Sequence, residues 1–276
     1  MASEPRRLAV LGSPIAHSKS PALHRAAYRT LGLDWEYSAV EVDGSSLAAF
    51  IDSRDEAWRG LSLTMPLKQD VIPLLDEVDE LVGVTGAANT VLFDAGRRRG
   101  FNTDVGGIVR ALGDAGFDRM RRGALIGGGA TAASALAAMA ELGANEVRTL
   151  LRRPEAAAHL VELGARLGVR VEAAPLGELA SLDDVELVAS TVPGRAELGA
   201  AASVDLMRRA LLFDVAYDPW PTALAAQWLE AGGAVVDGLG MLLHQALLQV
   251  RIFVAGDPAI PLTEEQSVLA AMRDSL

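Results

Sequence analysis

Short apolar runs alternate with stretches of helical spacing through the first hundred residues. Residues 8–11 read as a short buried strand, and 21–31 as a helix that follows a serine-rich turn. Residues 35–42 alternate like a strand, 47–58 carry helical spacing, and 61–64 form another strand. That strand stops at Pro66, which suits the first turn of the next helix. Residues 91–93 are strand-like, and Asn102-Thr103-Asp104 offers a helix N-cap ahead of 105–112. Strands that alternate with helices predict an α/β unit with a mostly parallel sheet covered on both faces.

A second series begins near Arg122. Residues 124–126 form an apolar strand that runs into Gly127-Gly128-Gly129-Ala130, and an alanine-rich helix follows over 131–142. Further strands are expected at 147–151, 185–190, 211–215 and 234–237, and an apolar helix over 241–254. The expected organisation is two domains, α/β throughout. Residues 1–104 form the first, 105–240 a Rossmann-type second, and 241–276 helices that return to the first. The helix over 105–112 is the expected crossover, with a cleft beside it.

The chain has 276 residues, half of them hydrophobic, enough for two modest cores. No run reaches the roughly 18 uninterrupted apolar residues of a membrane helix, and the apolar segment near the start is too short for a signal peptide. There is no cysteine, which excludes disulfides and thiolate metal sites. A cytoplasmic protein is the simplest reading. The net charge is −11, and the clusters Arg97-Arg98-Arg99 and Arg121-Arg122 read as solvated turns. Nothing supplies the concentrated positive surface that nucleic acid requires, so neither nucleic acid nor membrane is an expected partner. Of the 25 basic residues only Lys19 and Lys68 are lysine, a hint that these two amines are specifically wanted.

Strand, Gly127-Gly128-Gly129-Ala130-Thr131-Ala132, then helix is the Gly-x-Gly-x-x-Ala form of the dinucleotide fingerprint. Its glycines permit a tight turn and close approach to a pyrophosphate, which the helix N-terminus then faces. The alternative is a purely structural turn. An NAD site would carry an acidic residue after the next strand, but Arg152 and Arg153 stand there. Two guanidiniums suit a 2′-phosphate, which favours NADP, unless they are simply a solvated pair before Pro154.

Polar groups also gather at the strand ends of the first third, where open parallel sheets build their sites. Ser18 and Ser20, spaced by one residue before a helix, could donate to a carboxylate, or Ser20 could merely cap that helix. Thr64-Met65-Pro66-Leu67-Lys68 follows a strand and places Lys68 in the first turn of a helix, where a solvated lysine is the usual outcome. Asn89 and Thr90 fit a turn, and Asp104 fits a helix cap, as well as they fit chemistry. His17 and His24 lack carboxylates at ligand spacing, so no metal is expected.

Taken in order, these segments resemble the shikimate dehydrogenases. The resemblance rests on 12–21, 64–68, 86–90, 102–104 and 127–130. It continues through Asp214-Val215-Ala216-Tyr217-Asp218-Pro219 with Thr222, and Gly238-Leu239-Gly240-Met241 with Gln245. It implies an NADP-dependent oxidoreductase that interconverts 3-dehydroshikimate and shikimate on the way to chorismate, working as a monomer or homodimer. It makes Lys68 and Asp104 the catalytic pair. Ser18 and Ser20 would take the substrate carboxylate, Tyr217 would close over it, and Thr64, Asn89 and Gln245 would hold the ring hydroxyls. Gly127, Gly128, Gly129, Ala130, Arg152, Arg153, Thr191, Val215 and Gly238 would hold the cofactor.

The chain departs from the family pattern in three places. Ser62-Leu63-Thr64 stands where Asn-Val-Thr is frequent, Ala88 where valine is common, and Arg152-Arg153-Pro154 where Asn-Arg-Thr is common. The last leaves open which arginine takes the 2′-phosphate. Related readings are a quinate/shikimate dehydrogenase, which tends to use NAD, and an aminoshikimate-type enzyme. A non-catalytic NADP-binding regulator is the alternative from another class, and the presence of both Lys68 and Asp104 argues against it.

Overall fold

The computed structural model describes residues 4–276, so residues 1–3 of the expected first domain lie outside the described residues. Two compact units emerge. One runs to Thr103 and takes in Leu242–Leu276; the other is Asp104–Met241.

The first unit contains β1 (Arg6–Gly12), α1 (Ser20–Thr30), β2 (Trp35–Glu41), α2 (Gly44–Asp52) and β3 (Trp58–Leu63). It continues through α3 (Leu67–Asp70), β4 (Glu77–Val78), α4 (Glu80–Thr85), β5 (Thr90–Asp94) and β6 (Arg97–Phe101). Its sheet has the order β2-β1-β3-β5-β6-β4. β1 pairs parallel with β2 and β3, while β5 and β6 enter as an antiparallel hairpin. Apolar side chains cover both faces. Leu8, Val10, Leu23, Tyr28 and Tyr37 pack on one side, and Leu11, Leu47, Ile51, Leu61 and Leu67 on the other.

Several elements depart from the sequence reading. The arginines at 97–99 do not lie in a solvated turn but on β6. The turn is Ala95-Gly96, both with positive φ (49° and 78°), the backbone that a tight hairpin needs. Ion pairs of Arg98 with Asp52 at 2.7 Å, and of Arg97 and Arg99 with Glu77, let this strand carry its charge. The helical spacing over 47–58 also breaks early. α2 starts at a capping box between Asp43 and Ser46 and stops at Asp52. Asp55 then turns the chain by accepting from the N–H of Ala57 and Trp58, and Trp58 begins β3. Pro66 is the N-cap of α3 rather than its first helical residue.

The second unit starts with α5 (Asp104–Asp114) and β7 (Arg122–Ile126), so Arg122 too lies on a strand. It continues with α6 (Ala130–Glu141), β8 (Glu146–Leu151), α7 (Ala158–Leu167), β9 (Arg170–Pro175) and β10 (Leu187–Ser190). Then come α8 (Val204–Arg209), β11 (Leu211–Asp214), α9 (Ala223–Glu230) and β12 (Val235–Val236). The sheet order β12-β11-β10-β7-β8-β9 is parallel throughout, and it reverses direction at β7. That is the Rossmann strand order, with its switch point between β7 and β10.

Two helices close the chain, α10 (Gly238–Ala255) and α11 (Glu265–Arg273). By length and hydropathy α10 would pass for a membrane span, which no uninterrupted apolar run had suggested. However, 67% of it is buried inside the protein, as befits a core helix.

Candidate active site

In the first unit the predicted polar residues gather where β1, β3 and β5 meet. Gly12 ends β1 directly against Thr64, and a Cβ on Gly12 would collide with the Thr64 methyl. Ser13 N–H donates to the Met65 carbonyl at 3.1 Å, and Thr64 N–H to Leu11 at 2.9 Å. These bonds bring the segments 12–21 and 64–68 together. Lys68 lies half-buried on α3, and its carbonyl accepts from Ala88 N–H at 2.8 Å. Lys68 is therefore seated beside the loop that carries Asn89.

Asn89 is buried, and Thr103 binds both ends of its amide. The Thr103 N–H donates to Oδ1 at 3.0 Å, and Nδ2 donates to Thr103 Oγ1 at 2.8 Å. Nδ2 also reaches Gln245 Oε1 at 3.4 Å. Asn102 steadies the same loop by donating to Thr85 Oγ1 and the Ala87 carbonyl. Ser18 and Ser20 lie together at the start of α1, where Ser18 Oγ accepts from Ser20 N–H at 3.3 Å. Ser20 does not cap α1. Lys19 occupies the N-cap position, no side chain caps the helix, and the Lys19 ammonium donates to the Leu276 carbonyl at 3.1 Å.

Behind these residues lies a buried network that sequence reasoning did not single out. Gln249, on α10, donates to the Asn89 carbonyl (3.1 Å) and Thr90 Oγ1 (3.0 Å). Its Oε1 lies 2.9 Å from Ser62 Oγ and 3.2 Å from His24 Nε2. Tyr37 donates to Ser62 at 2.7 Å and stacks on the His24 ring, with centroids 3.9 Å apart and planes inclined by 8°. Burial pushes the His24 pKa down to about 3, against a smaller opposing effect of the Gln249 bond, so the ring is neutral. The readable signal was two glutamines four residues apart, and so on one face, in a largely apolar helix.

The second unit holds Asp104, Tyr217 and the residues expected to hold the cofactor. Asp104 is buried at the start of α5. Tyr217 is half-buried, and burial raises its phenol pKa. Gly127 and Thr191 directly follow β7 and β10, the strands at the switch point. Gly127 has φ +119°, and a Cβ there would run into Thr191 Oγ1, itself fixed by donating to the Ile126 carbonyl at 3.0 Å. Gly129 is the N-cap of α6, with open space around it and no side chain capping the helix. Val215 N–H donates to Ser190, and Gly238 N–H to Ala216. Buried Asp214 holds the intervening loop by accepting from Thr222 Oγ1 (2.6 Å) and Ala216 N–H (3.2 Å), and desolvation raises its pKa.

Beside this turn lies a pocket of about 490 Å³ with apolar walls that include Ile126, Leu151, Val192 and Leu198. Arg152 and Arg153 also line it, and the Arg152 guanidinium is anchored on the Glu197 carbonyl at 2.6 Å. A side-chain-free turn, a helix N-terminus, an apolar pocket and two guanidiniums fit a phosphorylated dinucleotide.

The substrate binding domain of shikimate dehydrogenase, as a family, matches residues 10–91. A shikimate dehydrogenase (NADP(+)) of Rhizobium rhizogenes is 36% identical over 246 residues, covering 86% of this chain and 85% of the relative. The chain belongs to the shikimate dehydrogenase family. Among solved members, the Mycobacterium tuberculosis shikimate dehydrogenase superposes with a TM-score of 0.85 at 37% identity, over 98% of this chain and 100% of that one. A Thermus thermophilus shikimate 5-dehydrogenase in complex with NADP(H) and shikimate gives a TM-score of 0.81 at 29% identity, again over 98% and 100%.

Proposed function

We propose that this chain is an NADP-dependent shikimate dehydrogenase that interconverts 3-dehydroshikimate and shikimate on the route to chorismate and the aromatic amino acids. The observation that carries the reading is the bond from Ala88 N–H to the Lys68 carbonyl. It seats one of only two lysines in the chain beside a buried amide cluster. A small polyhydroxylated acid asks for such directional groups and little apolar surface.

Gly127, Gly128, Gly129 and Ala130 would hold the pyrophosphate, and Arg152 with Arg153 the 2′-phosphate. Thr191, Val215 and Gly238 would line the nicotinamide end. When bound, NADPH supplies the hydride. Lys68 donates a proton to the carbonyl oxygen in reduction, stabilising the developing alkoxide, and accepts it back in oxidation. Asp104 accepts a hydrogen bond from the substrate hydroxyl and orients the amine. Ser18 and Ser20 bind the carboxylate, Thr64, Asn89 and Gln245 bind ring hydroxyls, and Tyr217 covers the carboxylate end.

Replacing Lys68 tests the assignment. Lys68→Ala should lower kcat with shikimate by roughly 10²- to 10⁴-fold while NADP binding, followed by titration calorimetry, is kept. Wild-type turnover by that variant would remove Lys68 from the chemistry.

A further inference from the structure

We infer that Thr90 and Gln249 are positioning residues that, together with the Thr103 N–H, hold the Asn89 amide in one orientation and so bear on which of its groups the substrate meets. The inference rests on the reading of Asn89 as a substrate-binding residue.

The argument follows donors and acceptors along the network. A main-chain carbonyl can only accept, so the Gln249 group 3.1 Å from the Asn89 carbonyl must be its NH₂. Gln249 Oε1 then faces Ser62 and His24. Ser62 gives its single proton to that oxygen and accepts from Tyr37. The neutral His24 ring carries its proton on Nε2, toward Gln249, and its Nδ1 accepts from the Tyr28 hydroxyl at 3.1 Å. Each bond direction forces the next, and every group in the chain is buried.

The other arm runs toward the site. Gln249 Nε2 donates to Thr90 Oγ1, so the Thr90 proton is left to point at Asn89 Oδ1, 2.8 Å away. Thr103 N–H, which can only donate, meets the same oxygen. The Thr103 N–H excludes a flipped amide, which would set NH₂ against it, and the Thr90 proton holds Oδ1 inward from a second direction. Nδ2 is turned to the side where Gln245 Oε1 and Thr103 Oγ1 lie. Asn89 is thus held with Nδ2 on the side of Gln245, and the Thr90 hydroxyl that Gln249 orients is one of the donors that hold it there. A threonine with no such neighbour would be free to rotate.

Steady-state kinetics of the full chain test this with shikimate and NADP varied separately. Thr90→Val keeps the shape of the side chain and removes the oriented hydroxyl. It should raise the KM for shikimate about tenfold, with the KM for NADP unchanged within about twofold. Thr90→Ser should restore the shikimate KM, which a merely structural loss of packing would not predict. Gln249→Met supplies an independent arm with the same expected split, should Thr90→Val fail to fold. Asn89→Asp, which keeps the inward acceptor and exchanges the presented donor for an oxygen, should weaken shikimate more than either. An unchanged shikimate KM in folded Thr90→Val and Gln249→Met, with Asn89→Asp impaired, would overturn the positioning role alone. An unchanged shikimate KM in Asn89→Asp would overturn the reading of Asn89 and the inference with it.

Discussion

Burial holds the His24 pKa at about 3, against 6.5 for the free side chain. Between those values the unfolded chain binds a proton that the folded chain refuses. Stability therefore rises with pH across this window and is lost as pH falls from about 6.5 toward 3. At pH 5 the loss amounts to about 2 kcal/mol. Urea unfolding at pH 7.5 and pH 5 should show a drop of this order that His24→Phe lacks, over and above whatever other groups contribute to both proteins. Parallel behaviour of the two proteins would contradict a neutral buried His24. From the sequence, His24 and His17 were indistinguishable, because only the approach of Gln249 and Tyr37 in space gives His24 its partners. Lys68, Asn89 and Asp104 were legible only through their motifs. Taken alone, each had an ordinary reading as a surface lysine, a turn residue or a helix cap.

At the scale of elements, the turn from β7 into α6 makes the strictest demand on the sequence. The φ of +119° at Gly127 and the nearness of Thr191 Oγ1 leave no room for a side chain. Gly127→Ala should lose roughly tenfold or more in NADP affinity by calorimetry, since the turn must shift to admit the methyl. Unchanged affinity would show that the turn does not contact the cofactor. One strand further on, the proposed 2′-phosphate role predicts that Arg152→Ala/Arg153→Ala raises the KM for NADP roughly 10²-fold and leaves that for NAD nearly unchanged, since NAD has no such phosphate. Of the two, Arg152 should carry the larger share, since its guanidinium is already held by Glu197. A double variant that still prefers NADP would place the discrimination elsewhere. The glycine turn could be read in advance because strand, glycines and small-residue helix are contiguous. β6 could not, because three arginines look like solvent until Glu77, Asp52 and Asp94 are brought opposite them. The end of α2 failed for a related reason: apolar spacing continues to Trp58, but Asp55 turns the backbone first.

At the scale of the whole molecule, two sheets with different strand orders divide the work. The first gathers directional polar groups at its strand ends. The second repeats the Rossmann order, with a turn and pocket suited to a phosphorylated dinucleotide. The alternation of strands and helices made this α/β character legible, since each element is short and contiguous. The antiparallel β5–β6 hairpin was hidden, because pairing direction depends on a turn whose first residue, Ala95, gives no glycine-like signal. With a net charge of −11, the chain must capture its anionic substrate by local donors rather than by its overall field. Initial rates of cofactor reduction with shikimate and with quinate, each with NADP and with NAD, test the assignment most directly. Rapid turnover confined to shikimate with NADP is the predicted result. Faster turnover with quinate and NAD, or none in any combination while NADP still binds, would contradict it.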